Sequence, residues 1–177
     1  NRQILHWEED VGEKKKTESA QTKLEKLNSD IEVQVFNGKI IEENLHFLED
    51  VDVIVDALDN FETRYLLNEF AVKENIPFIH AAVEGTHGQM TTIIPGETPC
   101  LRCIFPEPPE KKEIFPILGT TSGLFGIMLT NEAIKVLTGH VEPLKGELFI
   151  FDMSLNNVEK VEIERDDVCP VCGDLQY

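Results

Sequence analysis

The sequence predicts an α/β fold built on a parallel sheet. Three observations carry that expectation. The segment VDVIVDAL (51–58) is a continuous apolar run of the kind buried on both faces of a sheet. FETRYLLNEFAVKEN (61–75) follows with helical spacing, placing Phe61, Leu66, Leu67, Phe70 and Ala71 on one face. IPFIHAAVE (76–84) is a second buried run, and strand, helix and strand at this spacing make a βαβ unit.

The other elements read in order. Residues 12–28 show a helical pattern with Ala20, Leu24 and Leu27 on one face and Asn28 as its end. IEVQVF (31–36) alternates as a strand does. After Gly85, GQMTTIIP (88–95) reads as another strand. CLRCIFPEPPEKKEIFPIL (100–118) carries four prolines and a charge cluster, which predicts a long irregular crossover. Such loops are uncommon in compact domains unless they serve a function. TSGLFGIMLTNEAIKVLTG (121–139) is a helix apolar nearly all round, so it asks for cover from the sheet and from a second subunit. Thr120, Thr121 and Ser122 are expected to cap it, and Gly139 to end it. GELFIFDM and NNVEKVEIE close as an antiparallel hairpin.

A chain of 177 residues suits one domain, here 1–177. With 41% apolar and 28% charged residues, its composition is that of a soluble globular protein. No apolar stretch reaches the ~18–20 residues of a membrane span and no signal peptide is visible. A cytoplasmic protein with no membrane partner is therefore expected. A net charge of −17 argues against nucleic acid, which needs a basic face. The one compact basic run, Lys14–Lys16, reads by itself as a solvated first helical turn.

All four cysteines fall in two pairs, Cys100-Leu-Arg-Cys103 and Cys169-Pro-Val-Cys172. Two CxxC pairs supply the ligands of a tetrahedral, all-sulfur zinc site, each pair wrapping one edge of the metal. Pro170 and Gly173 suit the tight second turn. The alternatives are two disulfides, plain buried thiols, or a redox CxxC at a strand-to-helix turn, where neither pair sits. Four protein ligands leave no open coordination position, so the expected zinc is structural. It would pin a C-terminal knuckle, 169–173, to the start of the crossover.

Asp59 stands where the 51–58 run surfaces. In open parallel sheets ligands bind beyond the carboxyl ends of the strands. Two readings stay open from spacing alone. Asp59 caps the next helix, with Glu62 completing a capping box, or it holds Mg²⁺ against a nucleoside triphosphate. Asp56 receives no role. His80 reads as a core histidine, and Trp7 and Phe36 as packing. His6, His46, His87 and His140 show no ligand spacing.

Four segments, LDNFETRYLLN, CLRC…CPVCG, LGTTSGLFG and the opening NRQILHWEEDVGEKKKTESAQTKLEKLNSDI, occur together in the order found in the MoeB/ThiF/HesA family. From Asn1 to Gly173 the chain resembles these bacterial and archaeal relatives of the ubiquitin-activating enzymes. The resemblance implies a Rossmann-like, mostly parallel sheet with a C-terminal antiparallel hairpin and a zinc-binding tail. It implies one partial nucleotide-binding and activation domain. The implied reaction is MgATP-dependent adenylation of the C-terminal glycine of a ubiquitin-like sulfur-carrier protein, for molybdopterin or thiamine type sulfur transfer, by a homodimer. Residue by residue, Arg2 and Lys15 would contact the ATP phosphates. Asp59 would bind Mg²⁺ and orient the triphosphate. Asn60 and Arg64 would support the nucleotide site, and Cys100, Cys103, Cys169 and Cys172 would hold zinc.

Two parts of that pattern are missing. The chain opens on Asn1, without the family's first strand, Gly-rich phosphate loop, ribose-gripping acid and cross-dimer arginine. An N-terminally truncated member with open strand edges, inactive on its own, is expected. The crossover also lacks a cysteine, so adenylation without a thioester relay is expected, with the loop acting as lid or guide for the carrier's tail. A competing reading is a non-catalytic subunit that only docks a ubiquitin-like protein. A nicotinamide-dependent oxidoreductase ranks last, since it gives the cysteine pairs no purpose.

Overall fold

A computed structural model describes residues 3–110 and 116–173. Five strands form one sheet in the order β1 (Ile54–Asp56), β2 (Phe78–Glu84), β3 (His87–Ile93), β4 (Glu147–Asp152) and β5 (Asn157–Glu162). β1 and β2 run parallel, joined by helix α2 (Phe61–Lys73) as a βαβ unit. The other three pairings are antiparallel.

The sheet is therefore mixed, with a smaller parallel part than expected. The reason is local. Gly85 adopts a left-handed φ of 57°, and with Thr86 it turns β2 straight back into β3. A two-residue turn can only join antiparallel strands. The α/β layering stands, as does the C-terminal hairpin, which turns through Asn156 at φ 52°.

The layers follow from which faces are apolar. On one side α2 buries Leu67, Ala71 and Val72 with Ile54, Phe78 and Ile93 of the sheet. On the other, α4 (Gly119–Thr138) buries Phe125 and Leu129 against Ile79, Ala81 and Met90. A short helix, α3 (Leu101–Ile104), opens the crossover, and Leu101 joins the α2 cluster. Gly88 on β3 lies under the Phe125 ring, and a Cβ built there would stand 2.1 Å from a ring carbon. Gly88→Ala is expected to destabilise the protein by about 1–3 kcal/mol through this overpacking, measured by denaturant unfolding.

Several sequence expectations change. β1 is only three residues long and is the edge strand of the sheet, and Val55 on its outer face is 42% exposed. The run 51–58 is thus not buried on both faces. IEVQVF (31–36) forms no strand, because no strand of the described structure runs beside it. Alternation records a preference, and a ladder needs a partner. Ile31, Val35 and Phe36 are exposed, with Phe36 stacked on Phe47 at 4.7 Å. α4 begins at Gly119, so Thr120, Thr121 and Ser122 lie inside the first turn and do not cap it. Thr121 instead donates to the Gly85 carbonyl at 2.8 Å, and Ser122 to Gly119 at 3.2 Å. Gly139 ends the helix at φ 62° as expected. The outer face of α4 leaves Ile127 72% exposed, along with Ile134 and Leu137.

Helix α1 (Lys16–Leu27) ends at Asn28, yet it buries only Ser19, and Leu27 is 83% exposed. Polar contacts hold it. Buried Asp10 accepts from Ser19 at 3.0 Å, from the Trp7 amide at 3.1 Å and from Lys23, whose ammonium also lies 4.2 Å above the Trp7 ring. The Lys23 hydrogen bond, then those of Trp7 and Ser19, hold the Asp10 carboxyl well below the usual carboxylate range. A depressed carboxyl stabilises the fold above its unfolded pKa of about 3.9, and that contribution is lost as pH falls further. Trp7 is the sole tryptophan and reports on this turn. The denaturant midpoint read from its fluorescence should fall as pH drops below about 4, and fall less in Asp10→Asn. Equal pH dependence of the midpoint in both proteins would contradict it.

Candidate active site and metal centre

Asp56 is the last residue of β1, and the chain surfaces through Ala57 and Leu58 to Asp59 before α2 begins. The cap of α2 is Asn60, whose side-chain oxygen accepts from the Thr63 amide at 2.9 Å. Asp59 is therefore not the cap. Its carboxylate is exposed, and its one described hydrogen bond comes from the Asn60 amide at 3.4 Å. A carboxylate at the carboxyl end of a parallel strand with its lone pairs turned to solvent can take a hard cation.

The crossover is anchored on both sides of this sheet edge. Tyr65 of α2 donates to the Phe105 carbonyl at 2.9 Å where the loop departs. On return, the Gly85 amide donates to the Pro116 carbonyl at 2.6 Å, beside the parallel bridge between Gly85 and Ile117. Gly85 directly follows β2, so the returning loop passes the carboxyl end of that strand. Lys15 stands at the N-cap position of α1, with an exposed side chain that makes no ion pair among the described residues. Arg2 lies outside the described residues.

Close to Asp59 in the chain is a charged cluster around Asp56, the residue that sequence reasoning left without a role. Asp56 pairs in register with His80 on β2. Its carboxylate lies 2.6 Å from His80 Nδ1 and 3.0 Å from Arg64 Nε. All three side chains are buried. Burial pushes the His80 pKa down against the pull of Asp56, leaving a neutral ring that donates from Nδ1. His80 is thus the core histidine expected, and Arg64 is a buried partner of Asp56. The available signal was an inward-facing carboxylate at the end of an apolar strand, since such a charge requires a partner.

The four cysteines converge. Cys100 precedes α3 and Cys103 lies within it, while Cys169 and Cys172 belong to the C-terminal turn. All four are free thiols whose sulfurs lie within 4.8 Å of one another. The Cys100–Cys169 and Cys103–Cys172 sulfurs are 3.6 and 3.4 Å apart. A tetrahedron of sulfurs at about 2.3 Å from a zinc has edges of about 3.8 Å, so the donor set fits such an ion. Burial pushes the Cys100 thiol up, and the Cys103 thiol to about 11, so a cation is what would hold these groups as thiolates. The second turn is as tight as expected. The Gly173 amide donates to the Cys169 carbonyl at 2.9 Å, and a Cβ at Gly173 would meet backbone oxygens at 2.6 Å. Asn68 of α2 accepts from the Leu101 amide at 2.8 Å, tying the first pair to the core.

The profile of the ThiF family matches residues 1–171. HesA of Leptolyngbya boryana is 39% identical over 175 residues, which is 98% of this chain and 63% of HesA. The sulfur carrier protein adenylyltransferase of Thermus thermophilus is 37% identical over 185 residues, 98% of this chain and 68% of that protein. The crystal structure of E. coli MccB with ATP aligns at a TM-score of 0.81 and 25% identity, over 97% of this chain and 54% of MccB. The chain thus spans about two thirds of the two relatives and about half of MccB. No described helix is long and apolar enough to cross a membrane. With its profile matched over nearly the whole length and its fold that of MccB, the chain belongs to the ThiF family.

Proposed function

We propose that this chain is part of the nucleotide-binding and activation domain of an ATP-dependent adenylyltransferase. It acts, as a homodimer, on the C-terminal glycine of a ubiquitin-like sulfur carrier. One observation carries the reading. Asn60 caps α2, so the exposed Asp59 carboxylate, three residues beyond β1, is left for a cation. The ThiF-family membership and the named activity of the Thermus thermophilus relative support it.

The chemistry suits the residue types. The carrier's terminal carboxylate attacks the α-phosphorus of ATP, forming an acyl–phosphate bond as the bond to pyrophosphate breaks. Carboxylate and triphosphate repel each other, so the site must neutralise phosphoryl oxygens and align the attack. Arg2 and Lys15 would supply positive charge, and Asn60 would support the nucleotide. Mg²⁺, when bound, screens the triphosphate, and Asp59 is the residue that would hold it. The crossover, anchored at Phe105 and Gly85, would guide the carrier's tail. The four-cysteine cluster would hold a structural zinc. The crossover after Cys103 carries no cysteine, which is the ground for proposing adenylation without a thioester relay.

ATP–pyrophosphate exchange by the full-length protein, with candidate carriers added one at a time, tests the proposal. Exchange that depends on one carrier is expected. Exchange with none, alongside retained carrier binding, would favour a docking subunit.

A further inference from the structure

The buried cluster around Asp56 makes contacts that a mere charge pair would not need. Asp56 Oδ1 accepts from the Leu58 amide at 2.9 Å. The Arg64 terminal nitrogen donates to the Leu58 carbonyl, and to the Ala81 carbonyl on β2 at 3.0 Å. Both backbone polar groups of Leu58 are thus held by one ion pair. His80, across the parallel ladder, fixes the Asp56 carboxylate from the other side. Two residues beyond Leu58, the Asn60 side chain is fixed by the Thr63 amide. Asp59 is therefore suspended between two immobilised neighbours while its own carboxylate stays open to solvent.

We propose that Asp56, Arg64 and His80 form a positioning unit that sets the Asp59 carboxylate for its cation. This rests on the reading of Asp59 as the metal-binding carboxylate. None of the three touches the cation, and they act through the Leu58 peptide. The physical reason for such a device is that a lone carboxylate on a loop binds a divalent ion poorly unless its backbone is held in place. His80 fits this role further. It is fully buried, it donates from Nδ1, and its Nε2 finds no partner among the described residues. Its donor to Asp56 is retained at the expense of an unpaired nitrogen in the core.

The test uses the full-length protein, with Mn²⁺ as the probe ion titrated by electron paramagnetic resonance in the presence of ATP. Amide hydrogen exchange is followed at residues 58–60. Arg64→Lys keeps the charge but loses the fork that reaches Leu58 and Ala81. Asp56→Asn keeps the shape but loses the charge that orients Arg64 and His80. Either variant, whichever remains folded, decides the matter. The expected result is Mn²⁺ binding weakened roughly 10–100-fold and faster exchange at 58–60. His80→Asn, which preserves a donor near the Nδ1 position, should restore most of the affinity that His80→Leu loses. Wild-type protein that binds no Mn²⁺ with ATP would overturn the Asp59 reading and the positioning role with it. Wild-type binding that a folded variant leaves unchanged would overturn the positioning role alone.

Discussion

Stripping the metal from the four-cysteine cluster is expected to lower the melting temperature by on the order of 10 °C and to release the C-terminal turn from the crossover. The size follows from the cluster's place in the core. Cys100, Cys169 and Cys172 are buried and pack in the same cluster as Leu67, Ala71 and Val72 of α2. Without a cation, four thiols crowd at 3.4 to 4.8 Å and nothing covalent links the turn at 169–173 to α3. Zinc in such sites contributes ~10–16 kcal/mol of apparent binding, comparable to the ~5–15 kcal/mol by which a domain is stable. A net loss of several kcal/mol in a chain of this size moves the midpoint by roughly 2–4 °C per kcal/mol. Cys169→Ser should act in the same direction. Elemental analysis that finds no zinc, with melting unaffected by a strong chelator, would refute the assignment.

Replacing Asp59 by alanine is expected to reduce ATP–pyrophosphate exchange by roughly 10²–10³-fold, the scale on which removing one preorganised charge-stabilising group slows a reaction. Stability should hardly change, because the side chain is exposed and its one hydrogen bond among the described residues is the 3.4 Å contact with Asn60. Asn60→Ala should behave differently. It removes the α2 cap and costs about 0.5–2 kcal/mol of stability. Measuring exchange and unfolding for both variants separates the two neighbours. Equal loss of stability from both would return Asp59 to a structural role.

The elements legible in the sequence are those whose signal is local. α2 and α4 show helical periodicity, β2 is a continuous apolar run, and the cysteine spacing brings four sulfurs together as expected. What escaped depends on partners distant in the chain. Whether IEVQVF pairs depends on a strand beside it, which its own alternation cannot reveal. Whether Val55 is covered depends on what lies outside β1. The direction of β3 hung on one backbone angle at Gly85. In the candidate site, Asp59 was marked by its position at a strand end, but the choice between cap and open carboxylate was made by Asn60, one residue away. Asp56 and His80 meet across a ladder between residues 24 apart in sequence, so spacing did not join them.

The most direct test of the central claim is intact mass spectrometry of a glycine-terminated ubiquitin-like carrier after incubation with the full-length protein and MgATP. The account predicts a carrier heavier by one adenylyl group, formed by wild-type protein and absent with Asp59→Ala. A carrier whose mass never changes, or an adenylate that forms equally well without Asp59, would contradict it.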